Sequence, residues 1–490
     1  MSFSQKDLVL CFMKRFWQEY KWGIVGMLIF STILFLIALL TDGTCDEGDS
    51  IFHYLYAKYA PTCPSNFLEH WAKPFYVLVM CPAAQFGFIG AKLQNTLFTC
   101  LTVWFTYLSA RKLQLKWAVV VFPLALFFKC FIQVSMSGLT EPLHDMMLSI
   151  AIYLMLCRRY VWVAVIASFF PFVRSEGLFI CGAFGVYFLF KRQWKAIPLL
   201  ALGHIIYGIA GYPRFHDFLW TFHNIPYAQA DGHYGHGNWN YYCIMMPWIT
   251  GLVNAILLPI GIVFGVIEGS KMLYKRNWNS RTFDILFVIG LFLLFFAMHT
   301  TFWALGIFGS FGMVRVFVAI GCTIMLVIVY ALEKIDALLG HYISWSAPVI
   351  FGLFIISSSV FGFTQLSRYH YDKVNDFGLH ADQLCDRDAA TYVHSTVKDY
   401  ANYTYFMDAT YIMEVMGANI FGDHAYFNTQ VPATGYPPKS IAIWDDWYSP
   451  SECKISIEFL RNHKELKEIK TFTHLNQWGE ERKVILFIRE

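Results

Sequence analysis

The sequence predicts an α-helical membrane protein that crosses the bilayer many times and ends in a small α/β domain. The chain of 490 residues is 57% hydrophobic and only 14% charged, whereas an ordinary soluble domain carries roughly a quarter charged residues. Long apolar runs recur up to residue 363, and the sequence turns polar from residue 367. We therefore divide the chain into a transmembrane part, 1–366, and a soluble part, 367–490.

About eleven runs are expected to cross the membrane, since a helix needs about 20 apolar residues to span the hydrocarbon and somewhat fewer where protein packs around it. The predicted spans are 22–40, 90–110, 117–134, 142–157, 161–173, 177–190, 196–211, 246–268, 283–303, 312–332 and 346–363. Two short runs, 161–173 and 177–190, predict a helical hairpin with Arg174 at its tip. Residues 74–89 contain Pro82 and are expected to be re-entrant or interfacial.

Basic residues in the loops predict the orientation. They cluster before the first span and in every second loop thereafter, at Arg111, Lys112 and Lys116, at Arg158 and Arg159, at Lys191, Arg192 and Lys195, and at Lys271, Lys275, Arg276 and Arg281. By the positive-inside rule this side, with the N-terminus, is cytoplasmic. An odd number of spans then places residues 367–490 outside the cytoplasm. No small-residue cleavage site follows the first run, so we expect it to be retained as a span.

The polar tail predicts a mixed α/β domain. Strand-like runs at 403–407, 441–444 and 483–488 accompany a helical stretch at 454–467. The cysteines form no CxxC pair, which argues against a zinc or redox motif. Two pairs, Cys45 with Cys63 and Cys385 with Cys453, fall in segments outside the cytoplasm, and each pair is compatible with either a disulfide or free thiols. A net charge of +3 is too small to indicate a nucleic-acid partner.

Ionisable residues beside the spans collect at the non-cytoplasmic face. A charge in hydrocarbon costs several kcal/mol, so such residues need partners or a function. The long side chains of Lys92 and Lys129 suit snorkelling to the interface. A shared polar site suits the others better: Glu141, His144, Asp145, Arg174, Glu176, His299 and Arg315.

The densest acidic group directly follows the first span. Crowded carboxylates repel one another and raise at least one pKa, which favours a general base; the candidates are Asp46, Glu47 and Asp49. A solvated acidic loop is the alternative. A divalent metal would also suit carboxylates, but no His–Glu ligand spacing supports it, so we predict neither a metal site nor a cofactor.

Three further segments offer candidate substrate-binding residues. Glu141 follows a Gly-containing turn at a helix start, where the helix dipole alone also favours an acid. The loop 224–240 is rich in Gly, His and aromatic residues, which stack on sugar rings and donate hydrogen bonds; it contains His233, Tyr234 and His236, and an ordinary exposed loop or a weak metal site is the alternative. Arg315 begins a late span and could grip a phosphate bidentately or simply anchor the interface.

The order of these motifs resembles the GT-C superfamily of membrane glycosyltransferases. Cys45-Asp46-Glu47, with Asp49 and His53-Tyr54, resembles the Asp-Glu motif of the dolichyl-phosphate-mannose-dependent mannosyltransferases, although Cys45 stands where the commonest form has proline. Lys73-Pro74 resembles the Arg-Pro that often ends this loop. Residues 137–142 resemble the Thr/Ser-Glu element of the second loop, 173–177 the Arg-Pro-Glu-Gly hairpin of bacterial members, and 309–315 the late arginine segment.

This resemblance implies an inverting glycosyltransferase with a polyprenyl-phosphate-linked, mannose-like sugar as donor. An acid of the first loop would deprotonate a hydroxyl of a glycan, glycolipid or protein acceptor. Glu141, Arg174, Glu176, His233, Tyr234, His236 and Arg315 would bind substrate. No nucleotide-binding fingerprint is present, and the expected partners are membrane lipids and no nucleic acid. The resemblance favours a bacterial inner membrane over the ER membrane.

Two other functional classes compete with this interpretation. A lipid or sugar transporter, or a flippase, would place charges near the midplane and commonly contain internal repeats, and the sequence has neither. A non-catalytic subunit of a membrane complex would use the tail and its aromatic residues for docking.

Overall fold

The computed structural model describes residues 5–227, 234–422, 424–427, 429 and 435–490. Its first part is helical, because a chain without access to water must satisfy its backbone N–H and C=O groups internally. The helices of this part are α1 (Gln5–Leu40), α2 (Asp49–Tyr59), α3 (Pro74–Ala84), α4 (Phe88–Lys112), α5 (Val121–Leu126), α6 (Lys129–Ser135), α7 (Glu141–Leu156), α8 (Tyr160–Ala167), α9 (Gly177–Phe190), α10 (Leu202–Phe215), α11 (Trp220–His223), α12 (Tyr241–Thr250), α13 (Leu252–Tyr274), α14 (Ser280–Leu305), α15 (Gly321–Leu339) and α16 (Ser346–Phe363).

Five helices of the described chain are long and apolar enough to cross a membrane. They are Trp17–Leu40 within α1, then α13, α14, Val314–Leu339 (a 3₁₀ turn continued by α15) and α16. Two bent pairs raise the number to seven if each is one span: α3 with α4, bent by 119°, and Ala118–Leu126 with α6, bent by 72°. The structure therefore supports a polytopic membrane protein but does not confirm eleven spans.

The difference lies mainly in the middle of the transmembrane part. The predicted spans 142–157, 161–173, 177–190 and 196–211 correspond to α7, α8 with the 3₁₀ turn after it, α9 and α10, and none of these helices exceeds 16 residues. An apolar run identifies a segment that avoids water, but it does not separate a spanning helix from a short buried one. Helix α7 is largely buried and packs against α4.

The basic loops meet at one face of the helical part. Arg281 donates to the carbonyl oxygen of Leu113 at 2.6 Å and forms an ion pair with Glu333 at 2.7 Å. Arg158 and Lys191 share Asp284, at 2.8 and 3.4 Å. These contacts bring the positively charged loops together, as the alternation along the sequence requires, and the cytoplasmic orientation of this face remains a prediction.

The C-terminal part is built around a five-stranded sheet of β1 (Thr404–Met407), β2 (Ala425–Phe427), β3 (Ser440–Asp445), β4 (Lys467–Leu475) and β5 (Glu481–Arg489). The strand order is β2-β1-β3-β5-β4, with β1 parallel to β2 and β3, and β5 antiparallel to β3 and β4. The helices of this part are α17 (Lys373–Phe377), α18 (Ala381–Thr396), α19 (Thr410–Val415), α20 (Tyr448–Ser451) and α21 (Ile457–Arg461).

Three predicted strands are present as β1, β3 and β5, but the predicted helix 454–467 is wrong in extent. Only the five residues of α21 are helical there, and β4 begins at Lys467. The main helix of the C-terminal part is α18, which the sequence pattern does not predict. Helix α18 packs against β4 and β5, and its polar N-terminal turn masks the apolar periodicity of the helix.

The C-terminal part docks on the face that carries the loop after α1. Tyr54 and Lys58 of α2 both bind Glu414 of α19, at 2.8 and 2.7 Å. Lys129 forms an ion pair with Asp376 at 3.1 Å and donates to the His370 carbonyl oxygen at 2.8 Å. The first outward loop and the C-terminal part therefore share one face of the molecule.

The structure overturns one expectation about individual residues and decides between two alternatives for the cysteines. Lys92 and Lys129 do not snorkel: both are buried, and Lys92 donates to the Thr41 carbonyl oxygen at 2.6 Å. The paired cysteines are free thiols. Cys63 instead donates to the carbonyl oxygen of Phe421 at 3.4 Å, and Cys385 to that of Arg482 at 3.4 Å.

Gly138 closes the turn that precedes α7, and we expect Gly138→Ala to destabilise the protein. A Cβ at Gly138 would lie 2.2 Å from the Ser50 carbonyl oxygen, which belongs to helix backbone and cannot rotate away. Overpacking of this kind typically costs about 1–3 kcal/mol, so thermal unfolding in detergent should begin several degrees lower. Gly182→Ala is the control, since a Cβ at Gly182 meets nothing within 4 Å; equal melting of both variants would contradict the prediction.

Candidate active site

The loop after α1 holds Asp46 in a fixed orientation. Cys45, just before it, adopts a left-handed backbone with φ +66°, which costs of order 1–3 kcal/mol for a residue other than glycine. One carboxylate oxygen of Asp46 accepts hydrogen bonds from the backbone N–H groups of Gly48, at 3.0 Å, and Ser50, at 3.1 Å. These bonds fix the orientation of the carboxylate and leave its second oxygen free to meet a cation.

That cation is Arg315. One Nη group of its guanidinium donates a hydrogen bond to Asp46 and the other donates to Asp49. Its Nε atom lies 3.7 Å from a carboxylate oxygen of Glu141. The side chain of Arg315 is only 13% exposed. Its guanidinium therefore binds the two carboxylates where little water can compete. A planar guanidinium suits this arrangement because its N–H groups diverge in one plane.

A second arginine continues the cluster. Arg174, at the tip of the turn between α8 and α9, forms ion pairs with Glu141 at 2.7 Å and Glu176 at 2.9 Å, and it donates to the Thr140 hydroxyl at 3.2 Å. Glu141 opens α7, where the helix dipole stabilises its charge. Its side chain is 2% exposed, and one of its oxygens has no hydrogen-bond partner among the described residues. Glu141 therefore joins the two arginines into one network.

Glu176 and His299 lie at the far end of this network. The His299 Nε2 atom is 3.4 Å from Glu176. Burial alone would raise the pKa of Glu176, but the charge of Arg174 and the neighbouring imidazole of His299 outweigh burial and hold that pKa well below its ordinary value. Glu176 is therefore ionised at neutral pH and acts as an acceptor.

Lys73 is a third cation beside the network, and it differs from the two arginines in its partner. Its ammonium donates to the neutral Ser175 hydroxyl at 2.8 Å, and no carboxylate among the described residues lies within ion-pair distance. Its backbone is left-handed, with φ +67°. Burial lowers the pKa of Lys73 to about 8, against the opposing charge of Glu176.

Glu47 does not face this network. Its carboxylate pairs with His380 of the C-terminal part, because neighbouring side chains of the loop point in opposite directions. The structure thus brings together six of the sequence-predicted site residues: Asp46, Asp49, Glu141, Arg174, Glu176 and Arg315. It separates Glu47 from the other two predicted catalytic acids.

The loop 224–240 lies partly outside the described residues, and His233 is among those outside. The ring of Tyr234 packs against Phe311 with centroids 5.1 Å apart. Burial, the charge of Glu452 and, less strongly, the charge of Asp49 raise the pKa of Tyr234 to about 12, so Tyr234 is within electrostatic reach of the network. His236 is exposed to solvent.

Two side chains at the site were not selected from the sequence. Lys73 was noticed only for its Lys-Pro sequence, and its left-handed backbone could not be foreseen. Tyr448, from the C-terminal part, lies over the first loop: a Cβ at Gly48 would be 2.6 Å from its hydroxyl. Residues contributed by a separate part of the chain leave no signal in a local motif.

Metal ligation is not evident in the described residues. They contain no group of three or more His, Cys, Asp or Glu side chains arranged to hold a metal ion. The expectation of a metal-free and cofactor-free site remains a prediction.

Comparisons with known proteins give a limited result. No family model matches the sequence, and no curated protein matches it. Among solved structures, the chain is similar to the Archaeoglobus fulgidus oligosaccharyltransferase in its complex with Zn and sulfate, at 13% identity and a TM-score of 0.49. The match covers 80% of this chain, and the chain spans about 61% of the length of that structure.

Proposed function

We propose that this protein is an inverting glycosyltransferase that moves a sugar from a polyprenyl-phosphate carrier to a hydroxyl acceptor. One observation carries the proposal. The acids that follow α1 and the arginine that opens a late helix are 269 and 266 residues apart in sequence, yet they meet in one ion cluster. Structural anchoring of the interface would not require two arginines and four carboxylates to share partners.

The reaction assigned to this cluster needs a base and a cation. Asp46 or Asp49 takes the proton of an acceptor hydroxyl, and the oxygen forms a bond to the anomeric carbon of the donor. The bond from that carbon to the phosphate oxygen breaks, and the polyprenyl phosphate leaves with both electrons of this bond. Cations near the departing oxygen offset its charge, and such electrostatic stabilisation commonly contributes more to catalysis than any other single effect.

Lys73 is better suited than either arginine to receive the phosphate first. Arg315 and Arg174 each contact two or more carboxylates, whereas the described partner of Lys73 is a neutral hydroxyl. An ammonium without a carboxylate partner retains its full attraction for an anion. The left-handed backbone at Lys73 supports a functional interpretation, because such strain is commonly found at ligand sites.

The location of the cluster supports activity at the extracytoplasmic face. The cluster lies on the side that carries the C-terminal part, and the basic loops lie together on the other side. With the positive-inside rule, this arrangement favours a non-cytoplasmic site, and the resemblance of residues 173–177 to bacterial members favours a bacterial inner membrane. The exposed apolar surface of the spanning helices supplies the contact with lipid and with the polyprenyl chain.

The test is a transfer assay with the purified full chain in lipid nanodiscs. Radiolabelled polyprenyl-phosphate mannose is the first donor, polyprenyl-phosphate glucose the second, and short glycans, glycolipids and hydroxylated peptides are the acceptors. We expect label in a product that resists mild acid. Movement of the donor across proteoliposomes without bond formation would indicate a transporter, and an active complex that tolerates loss of both Asp46 and Asp49 would indicate a non-catalytic subunit.

Substitution of Lys73 tests the phosphate assignment. We expect Lys73→Met to raise the KM for donor about 10- to 100-fold, in line with the loss of one charge-assisted hydrogen bond worth about 1.5–3 kcal/mol. Because burial lowers the pKa of Lys73 to about 8, the wild-type KM should also rise as pH exceeds about 8 and the ammonium loses its proton.

Two controls accompany this measurement. Lys73→Arg keeps the charge and should retain most of the donor affinity, and Lys398→Met removes an exposed lysine of the C-terminal part. An unchanged KM in Lys73→Met, with kcat reduced, would assign Lys73 to the chemical step instead.

A further inference from the structure

A buried acidic cavity lies between the first outward loop and the C-terminal part. Its volume is about 10 Å³, roughly the space of one water molecule. Acidic groups from three different elements line it: Glu47 from the loop, Asp382 and Asp386 from α18, and Asp445 from the end of β3. Asp386 is 3% exposed, and one of its oxygens has no hydrogen-bond partner among the described residues.

The same contact region holds the loop that carries Asp46. The Thr410 hydroxyl donates to the Glu47 carbonyl oxygen at 2.6 Å, and Gln383 of α18 donates to the Thr44 hydroxyl at 2.8 Å. Thr44 in turn donates to the carbonyl oxygen of Asp46 at 2.8 Å. Two consecutive hydrogen bonds therefore connect α18 to the backbone of Asp46, and the docking of α18 helps to fix the position of Asp46.

The carboxylates outnumber the cations that face them. The described charged groups around Glu47 and its cavity are the carboxylates Asp382, Asp386, Asp408, Asp445 and Asp446 and the basic residues His380, Arg387, Arg482 and Lys483. Arg482 lies 3.4 Å from Asp382 and 3.8 Å from Asp446, and His380 binds Glu47. The ion pairs reach only Glu47, Asp382 and Asp446, so the buried carboxylates Asp386 and Asp445 have no cation partner among the described residues, and ionising all five carries a large penalty.

We propose that His380 and Glu47 form a proton-dependent clamp that holds the C-terminal part on the first outward loop and so positions Asp46 and Asp49 at Arg315. The clamp rests on the proposed function for its effect on catalysis. His380 and Glu47 are positioning residues in this scheme, since the loop acids and not they would touch substrate. The C-terminal part thereby becomes a regulator of the site and senses the pH outside the cytoplasm.

The direction of the pH dependence follows from the groups involved. Burial raises the pKa of Glu47 from 4.5 to about 7, and the hydrogen bond that the protonated His380 ring donates to the Glu47 carboxylate raises the pKa of His380. Burial also raises the pKa of Asp445 to about 6 and that of Asp386 well above its ordinary value. Asp382 is the exception, since burial would raise its pKa but the hydrogen bond with Glu47 and the charge of Arg482 lower it. The upward shifts of the other four groups outnumber this one, so the docked state binds more protons than the released state and docking weakens as the pH rises through about 7.

The test compares two His–carboxylate pairs of the C-terminal part. His380→Gln removes the titrating partner of Glu47, and His474→Gln removes the matched pair that His474 forms with Asp388 at 2.9 Å, away from the loop. Hydrogen exchange of the amides of residues 43–50 reports docking without any substrate. Transfer is measured on the same samples from about pH 5.5 to about pH 8.5.

In the wild type and in His474→Gln we expect protection of residues 43–50, corrected for the intrinsic exchange rate, to fall by about tenfold per pH unit above pH 7, the limit for one proton. His380→Gln should lower the protection of these amides already at about pH 5.5. It should also reduce the pH dependence of their protection to about twofold or less per pH unit. Transfer should follow protection.

The two proposals fail in different ways. Equal protection and equal pH profiles in His380→Gln and His474→Gln would overturn the clamp even if transfer is observed. A shift of protection in His380→Gln alone, with no transfer from any donor, would uphold the clamp and overturn the proposed enzymatic function.

Discussion

Arg315→Lys is expected to reduce transfer by at least about 100-fold, the range seen when one preorganised charge-stabilising donor is lost. The guanidinium spans Asp46 and Asp49 and approaches Glu141, whereas a single ammonium cannot reach both aspartates in one plane. Arg315→Gln should in addition destabilise the fold by about 3–5 kcal/mol, because it leaves partly buried carboxylates without their cation. Transfer rates and thermal unfolding in nanodiscs measure the two effects separately.

The control for this substitution lies on the opposite face. Arg281, like Arg315, binds two partners, in this case the Glu333 carboxylate and the Leu113 carbonyl oxygen. We expect Arg281→Lys to keep the transfer rate within about twofold of the wild type, because a surface ion pair contributes little. If Arg315→Lys retained the wild-type transfer rate, Arg315 would be an interfacial anchor, and the catalytic role proposed for it would be wrong.

Asp46→Asn is the second substitution with a large expected effect. An amide keeps the size of the side chain and can still accept the Gly48 and Ser50 hydrogen bonds, but it takes no proton, so a rate loss of about 10²- to 10⁴-fold is expected for loss of a general base. The loss should appear in kcat more than in the KM for donor. Asp49→Asn measures whether the second acid shares the role.

Asp42→Asn is the matched control, because Asp42 belongs to the same acidic loop but is 65% exposed and contacts Arg387 only weakly, at 3.9 Å. We expect nearly wild-type transfer from it. Full activity in both Asp46→Asn and Asp49→Asn would remove the loop acids from the mechanism and with them the proposed base.

The sequence predicted whether each segment avoids water, but it did not predict whether an apolar segment crosses the membrane. Apolar runs and the alternation of basic loops predicted a polytopic helical protein, and both depend on local composition. The number of spans was not predictable in the same way, since α7 is apolar because it is surrounded by other helices and not because lipid surrounds it. Helix α18 was not predicted because the polar residues of its N-terminal turn, among them Gln383, which binds Thr44 of the first loop, mask its apolar periodicity.

For the candidate site, the polar residues at helix ends were predictable because charges there need partners. Glu141, Arg174, Glu176 and Arg315 were selected on that ground, Asp46 and Asp49 because they belong to a crowded acidic loop, and the structure brings all six together. The separation of Glu47 was not predictable, because it depends on the direction of one side chain in an irregular loop. The contribution of Tyr448 and His380 depends on how the C-terminal part docks, which no local pattern records.

The direct contact between Arg315 and the two loop acids has a kinetic consequence. In the resting protein Arg315 already occupies both loop acids, so an acceptor hydroxyl that arrives first must compete with the guanidinium for a carboxylate oxygen. A phosphate that approaches Arg315 competes with Asp46 and Asp49 and releases one of them. The donor would thereby create the base that its own transfer requires, and we expect a compulsory order of addition, donor before acceptor, with little idle hydrolysis of the donor when no acceptor is bound.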